Sequence, residues 1–162
     1  MTTAASTDRI RFLRDWGGIC VEESGHAVFA VLVGAQIVEC FAKPDHGEVR
    51  IAEPHSQSAE IAYAGIFARE VFSYGKVPPL SQLREAFRNA TSEDRAHFGP
   101  APELPRRVER DIEYAWPKIL ELAGHLFRHG RADHADVERI LGISDTRRLP
   151  LVVSMFKARC LW

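Results

Sequence analysis

Val21-Glu22-Glu23-Ser24-Gly25-His26-Ala27-Val28-Phe29-Ala30 is the stretch on which the rest of the chain is organised. On a helix, Glu22 and His26 lie one turn apart on a shared face, with Glu23 beside them. Two metal-ligating side chains at i and i+4, with a carboxylate next to the first, is the arrangement of the H-E-x-x-H zinc helix. Here the first position is itself a carboxylate, so the motif reads E-E-x-x-H. An almost wholly apolar run follows, so the spacing predicts a helix over 19–33, buried nearly all round and capped by Gly34. Burying Glu22, Glu23 and His26 along with it is unfavourable unless each finds a partner. A metal ion is one such partner. A base is another, with Arg50, Arg69 and Arg95 the candidates for Glu22.

Length and composition set the outer bounds. The 162 residues suit one compact domain, and 46% hydrophobic with 27% charged residues is ordinary for a globular protein. A net charge of -1 gives no electrostatic reason to expect nucleic acid or an anionic membrane as partner. The longest apolar run, residues 27–38, is broken by Gly34, Ala35 and Gln36 and falls short of the ~20 residues a bilayer span requires. Residues 1–8 are small and polar, without the apolar core of a signal peptide. Cys20, Cys40 and Cys160 are odd in number and far apart, so neither a disulfide framework nor a C-x-x-C knuckle is expected. A reducing cytoplasmic setting is the expectation.

Working outward from the motif, residues 1–7 read as a flexible tail and 8–16 as a short amphipathic helix, with Gly17-Gly18 as a break. Residues 36–42 and 48–53 read as the two strands of a β-ribbon around the turn Pro44-Asp45-His46-Gly47. The alternation of Val49 and Ile51 with polar neighbours suggests a half-exposed edge able to accept an extended peptide. Residues 58–74 form a second strong helix, with Ser58 as N-cap and Gly75 as terminator. Helices over 81–89 and 92–98 follow, Ser92 reading as the cap of the latter. The longest helical pattern runs over 103–129, with Pro117 predicting a kink or a break near Tyr114 to Trp116. A short capped helix over 133–141 precedes an apolar segment, 149–162, which must pack on the domain or on another copy. His125, His129 and His134, near helix ends, read as solvated, as do the Arg106-Arg107 and Arg147-Arg148 pairs.

The string Glu22-Glu23-Ser24-Gly25-His26-Ala27 resembles the H-E-A-G-H-A helix of the FtsH-type peptidase family, with its first histidine replaced by Glu22. In that family a β-ribbon follows, then a helix of the form A-G-x-x-A-E-E-x-x-x-G. Here that stretch reads Ala64-Gly65-Ile66-Phe67-Ala68-Arg69-Glu70, ending at Gly75, with Arg69 in place of the first glutamate. The third metal ligand of the family is an aspartate opening a helix, and Asp94 in Ser92-Glu93-Asp94-Arg95-Ala96 matches it. The resemblance spans about residues 18–142, and the two motif helices are its specific parts. It implies a mainly α (α+β), zincin-like single domain over 1–162, of about six helices with a small β-ribbon. It also implies a metallopeptidase-like hydrolase, with Glu23 as general base and Glu22, His26 and Asp94 holding zinc. His97, one turn after Asp94, could restore a nitrogen ligand, as could His46 or His55. An oxygen-rich set could instead favour Mn²⁺ or Mg²⁺. No G-x-x-x-x-G-K-[ST] phosphate loop occurs, so a stand-alone peptidase without the ATPase is implied, acting on peptides or unfolded protein segments.

Two other readings stand beside this one. In the first, the site holds no metal and the fold persists as a catalytically inactive pseudopeptidase that binds a protein or peptide. In the second, the 149–162 segment builds a homo-oligomer.

Overall fold

The computed structural model describes residues 4–98, 104–143 and 145–158. These residues are mainly helical, with seven α-helices and a small three-stranded antiparallel sheet. Helix α1, Ala4–Leu32, runs as one element of 29 residues. The expected break at Gly17-Gly18 is absent, and residues 4–7 of the expected tail form the first turn. Glycine in a helix costs about 1 kcal/mol relative to alanine, which flanking helix and tertiary contacts override. Gly34, at φ 90°, then ends the helix as the sequence predicts.

The C-terminal half of α1 is the centre of the core: Ala27, Val28, Ala30 and Val31 are wholly buried. Helix α2, Ser58–Tyr74, crosses it at very short range. A Cβ on Gly25 would lie 2.8 Å from the Ala68 Cβ and 2.9 Å from the Ala64 carbonyl oxygen. Small residues on both helices make this approach possible. Gly75, in the left-handed region, closes α2 as expected, but Gln57 rather than Ser58 is the N-cap. The Ser58 hydroxyl instead donates to the His55 carbonyl at 2.6 Å.

Strands β1, Ile37–Ala42, and β2, Gly47–Ile51, form the expected ribbon, with Cys40 opposite Val49. A third strand, β3, Arg131–Ala132, pairs with the far side of β1. Two residues are too short to show an alternating pattern, which is why the sequence hides it. The order β2-β1-β3 leaves β2 at an edge.

Helices α3, Leu80–Arg88, and α4, Ser92–Ala96, lead into a single 3₁₀ turn at Arg106–Val108 and then α5, Glu109–His129. The expected start of this last helix at 103 lies outside the described residues. Ile112, Ala115, Ile119, Leu122 and Leu126 of α5 are wholly buried, each large side chain contributing about 1.5–3 kcal/mol. Pro117 does not break α5. Both it and Glu113 are exposed, so water can meet the Glu113 carbonyl that has lost its helical donor.

Helix α6, His134–Ile140, opens with a capping box between Asp133 and Asp136. His134 is not solvated: its Nδ1 accepts the Ile37 backbone N–H at 3.2 Å, tying α6 to the start of β1. Arg106 and Arg107 are exposed, as expected, and both are paired. Arg106 grips buried Glu109 with two bonds, and Arg107 pairs with buried Glu60. Helix α7, Leu149–Lys157, packs part of the C-terminal segment on the domain: Phe156 is buried, 5.7 Å from the Tyr114 ring. Residues 159–162 of that segment lie outside the described residues. No helix among the described residues is long and apolar enough to cross a membrane.

The glycines of α1 make a test of this packing. Gly17→Ala, whose Cβ would meet the Phe72 ring at an ordinary 3.4 Å, should be neutral or stabilise by up to about 1 kcal/mol. Gly25→Ala should destabilise by about 1–3 kcal/mol despite the same gain in helix propensity. Urea unfolding of both variants checks this, and equal effects would refute the close crossing.

Candidate metal centre

Helix α1 presents Glu22, Glu23 and His26 to one cleft, and α4 brings Asp94 to its far wall. One ligand atom from each of Glu22, His26 and Asp94 lies within 4.8 Å of the other two. Residues from four separated stretches line the cleft, which has a volume of about 430 Å³. β2 forms one rim, the start of α2 a second, and the Thr91–His97 region a third. A larger open cleft of about 770 Å³ lies beside His125 and Asp136. Among the described residues the converging ligand set is in the smaller one, so chemistry rather than size marks the site.

His26 is held from both sides. Its Nδ1 lies 2.8 Å from the Ile61 carbonyl oxygen, which can only accept, so Nδ1 carries the proton. That leaves Nε2 as the nitrogen with a lone pair to offer, facing Asp94 Oδ1 at 3.7 Å. A histidine fixed through its other ring nitrogen by a carbonyl is the orientation that metal sites use. The ring lies over Gly65, where any Cβ would overlap it. Burial pulls the His26 pKa down, but the carboxylates of Asp94, Glu23 and Glu22, and the Ile61 bond, outweigh this and raise it.

Asp94 is held by its own helix end. Thr91 Oγ1 donates to Asp94 Oδ2 at 2.8 Å and accepts the Asp94 backbone N–H at 3.1 Å. Thr91, not Ser92, is thus the N-cap of α4, and it turns the free oxygen Oδ1 toward His26.

Glu23 is buried, and the ribbon closes directly over it. A Cβ on Gly47 would come within 2.5–2.8 Å of its Cγ, Oε1 and Cδ. Burial pushes the Glu23 pKa up to about 8; His26 opposes this, while Glu22, Asp94 and Glu48 add to it. Glu22 makes a different bond. Arg69 Nη1, from α2, donates to its Oε2 at 2.5 Å. Of the three bases considered for Glu22, Arg69 is its partner; Arg50 binds Glu39 instead.

The remaining candidates do not join the converging group. His97 lines the same cleft but is exposed. His46 is exposed and bonded to Asp45, and His55 Nδ1 accepts the Gln57 N–H. Cys20 and Cys40 are buried free thiols. Burial, reinforced by Glu23, pushes the Cys20 pKa up to about 11, so it offers no thiolate nucleophile.

The donor set of one imidazole nitrogen and two carboxylates, with a further carboxyl alongside, fits a divalent cation. Zinc accepts nitrogen and oxygen donors, and an oxygen-rich set also suits Mn²⁺ or Mg²⁺. No family model, curated protein or solved structure matches this chain. Three supporting elements had not been anticipated from sequence: Thr91, the Ile61 carbonyl and Gly47. The T-x-x-D spacing from Thr91 to Asp94 carries a capping signal; a backbone carbonyl and a glycine facing a carboxylate carry none.

Glu23 gives a pH prediction for the metal-free protein. Its pKa is raised from 4.5 to about 8, so the stability it contributes is full below pH 4.5 and is lost as pH rises to about 8. Glu23→Gln removes that dependence. Above pH 8, in chelator, the variant should be the more stable by on the order of 3 kcal/mol, and the gap should close toward pH 4. Urea midpoints at both pH values check this; a constant difference would refute the buried-acid assignment.

Proposed function

We propose that this chain is a metal-dependent hydrolase of zincin-like, FtsH-peptidase-like construction, acting on peptides or unfolded protein segments. Glu22, His26 and Asp94 hold the cation, and Glu23 is the general base. The observation that carries this reading is the convergence of the three ligand atoms within 4.8 Å on α1 and α4, beside a buried glutamate. The motif resemblance agrees with it.

A divalent cation bound there supplies Lewis-acid polarisation of a substrate carbonyl and of water. Zinc is the first choice, with Mn²⁺ or Mg²⁺ the alternatives that two carboxylate ligands favour. His26 binds through Nε2 because Ile61 holds the other nitrogen. Asp94 offers Oδ1 because Thr91 holds Oδ2. Glu23 accepts and returns the proton; a cation held by Glu22, His26 and Asp94 would favour the ionised form it needs. Its burial excludes bulk water from that exchange.

The rim supports that substrate class. β2 is an edge strand that lines the cleft through Gly47, Glu48, Val49, Arg50 and Ile51. An extended segment can add to such an edge by backbone hydrogen bonds, which requires an unfolded or flexible chain. That geometry selects for conformation before sequence.

The Arg69–Glu22 ion pair favours a second reading, in which the chain is an inactive pseudopeptidase and the cleft binds a peptide without turnover. The two differ in metal content and in the role of Glu23. For the hydrolase, protein purified without chelators contains near-stoichiometric metal that His26→Ala loses. Cleavage of a fluorescently labelled unfolded protein should then fall at least ~100-fold in Glu23→Gln, with metal retained. Cleavage that survives this variant or chelation would exclude the mechanism. Peptide binding without metal, abolished by Val49→Asp, would establish the binding module in its place.

A further inference from the structure

Arg69 reaches Glu22 from the opposite helix. Its side chain lies alongside Gly18, where a Cβ would sit 3.7 Å from Nε, and ends with Nη1 2.5 Å from Glu22 Oε2. The two partners differ in exposure: the Arg69 side chain is 43% exposed and that of Glu22 only 13%. Glu22 is therefore the fixed end of the pair, and Arg69 is the end that can leave, since solvent lies beside it.

The carboxylate that Arg69 holds is the same one that completes the converging group. Without a cation, that group would leave Glu22, Glu23 and Asp94 around one poorly hydrated space. A guanidinium on Glu22 compensates part of this negative charge. It also places a permanent positive charge against a ligand, where a like charge opposes a divalent cation. Moreover, the two positions at which the sequence departs from the H-E-x-x-H and A-G-x-x-A-E-E patterns are the two ends of this contact.

We infer that Arg69 is a built-in competitor for Glu22, occupying this carboxylate in the metal-free protein and setting how tightly the site takes a divalent cation. The inference rests on the metal-site reading of the cleft. In it, Arg69 makes the metal-free protein self-sufficient and the bound cation exchangeable. Loading the site requires the guanidinium to swing outward or to yield part of the carboxylate. Arg69 acts through Glu22.

The test is isothermal titration of Mn²⁺ and Zn²⁺ into the full, chelator-stripped chain. The proteins compared are wild type, Arg69→Gln, Glu22→Gln and the double variant, with Arg69→Met as a second replacement and thermal melting as the control for folding. Arg69→Gln should bind about tenfold more tightly than wild type, because a nearby like charge is gone. In the Glu22→Gln background the same replacement should give no gain, since the competition is for that carboxylate. Equal or weaker binding by both Arg69 variants, with wild type still binding, would overturn the competitor role and leave the hydrolase reading intact. Absence of binding in every protein, Arg69→Gln included, would overturn both.

Discussion

The site depends on how closely α1 and α2 cross. Gly25 on one helix meets Ala64, Gly65 and Ala68 on the other with no space for a methyl group between them. Because the axes approach so closely, side chains one turn either way from the crossing are forced into contact. His26 enters the space that Gly65 leaves and finds the Ile61 carbonyl; Glu22, one turn back, meets Arg69. A bulkier crossing would separate these pairs. The ligand geometry is thus a consequence of helix packing rather than of local conformation at the motif.

Once the helices are placed, electrostatics sets the state of each carboxylate. Three of them border a cleft with limited access to water, and they cannot all remain bare anions at no cost. The protein resolves each differently. Glu22 has an arginine, and Asp94 has a hydroxyl on one oxygen and an imidazole near the other. Glu23 has the Gly47 backbone against it and favours its protonated form. Every one of these arrangements would change if a cation bound. A divalent ion among them would draw the proton from Glu23, take Nε2 of His26 as a lone-pair donor, and contest Glu22 with Arg69.

Much of this was legible in the sequence, and the reasons are local. The apolar run after His26 could only be a buried helix, and Gly34 and Gly75 ended their helices where a left-handed residue was needed. The paired strands showed through their turn, and the E-E-x-x-H spacing placed Glu22 and His26 on one face. The errors have a common origin in tertiary contact. Gly17-Gly18 looked like a break because propensity was read without α2, against which the bare helix surface packs. Pro117 offered a break that the helix does not take, because its exposure was not visible. His134 looked solvated because the backbone N–H it binds lies 97 residues away, and Arg106 and Arg107, exposed as read, gave no sign that the glutamates they bind are buried. β3 is too short to have a period at all.

The site shows the same division more sharply. Read along the chain, Glu22 and Arg69 are two unrelated departures, each weakening the case for a working metal helix. Read in space, they are complementary: where a neutral ligand would be expected there is an anion, and the residue touching it is a cation. The charge that Glu22 adds to the cleft is thereby offset by the charge that Arg69 brings, and the balance around His26 and Asp94 is left much as it would be without either. A carboxylate at position 22 requires that compensation with or without a cation, because the cleft cannot hold a further uncompensated anion. The ion pair therefore accounts for the burial of Glu22 under either reading, and the proposed metal role turns on whether Arg69 releases the carboxylate.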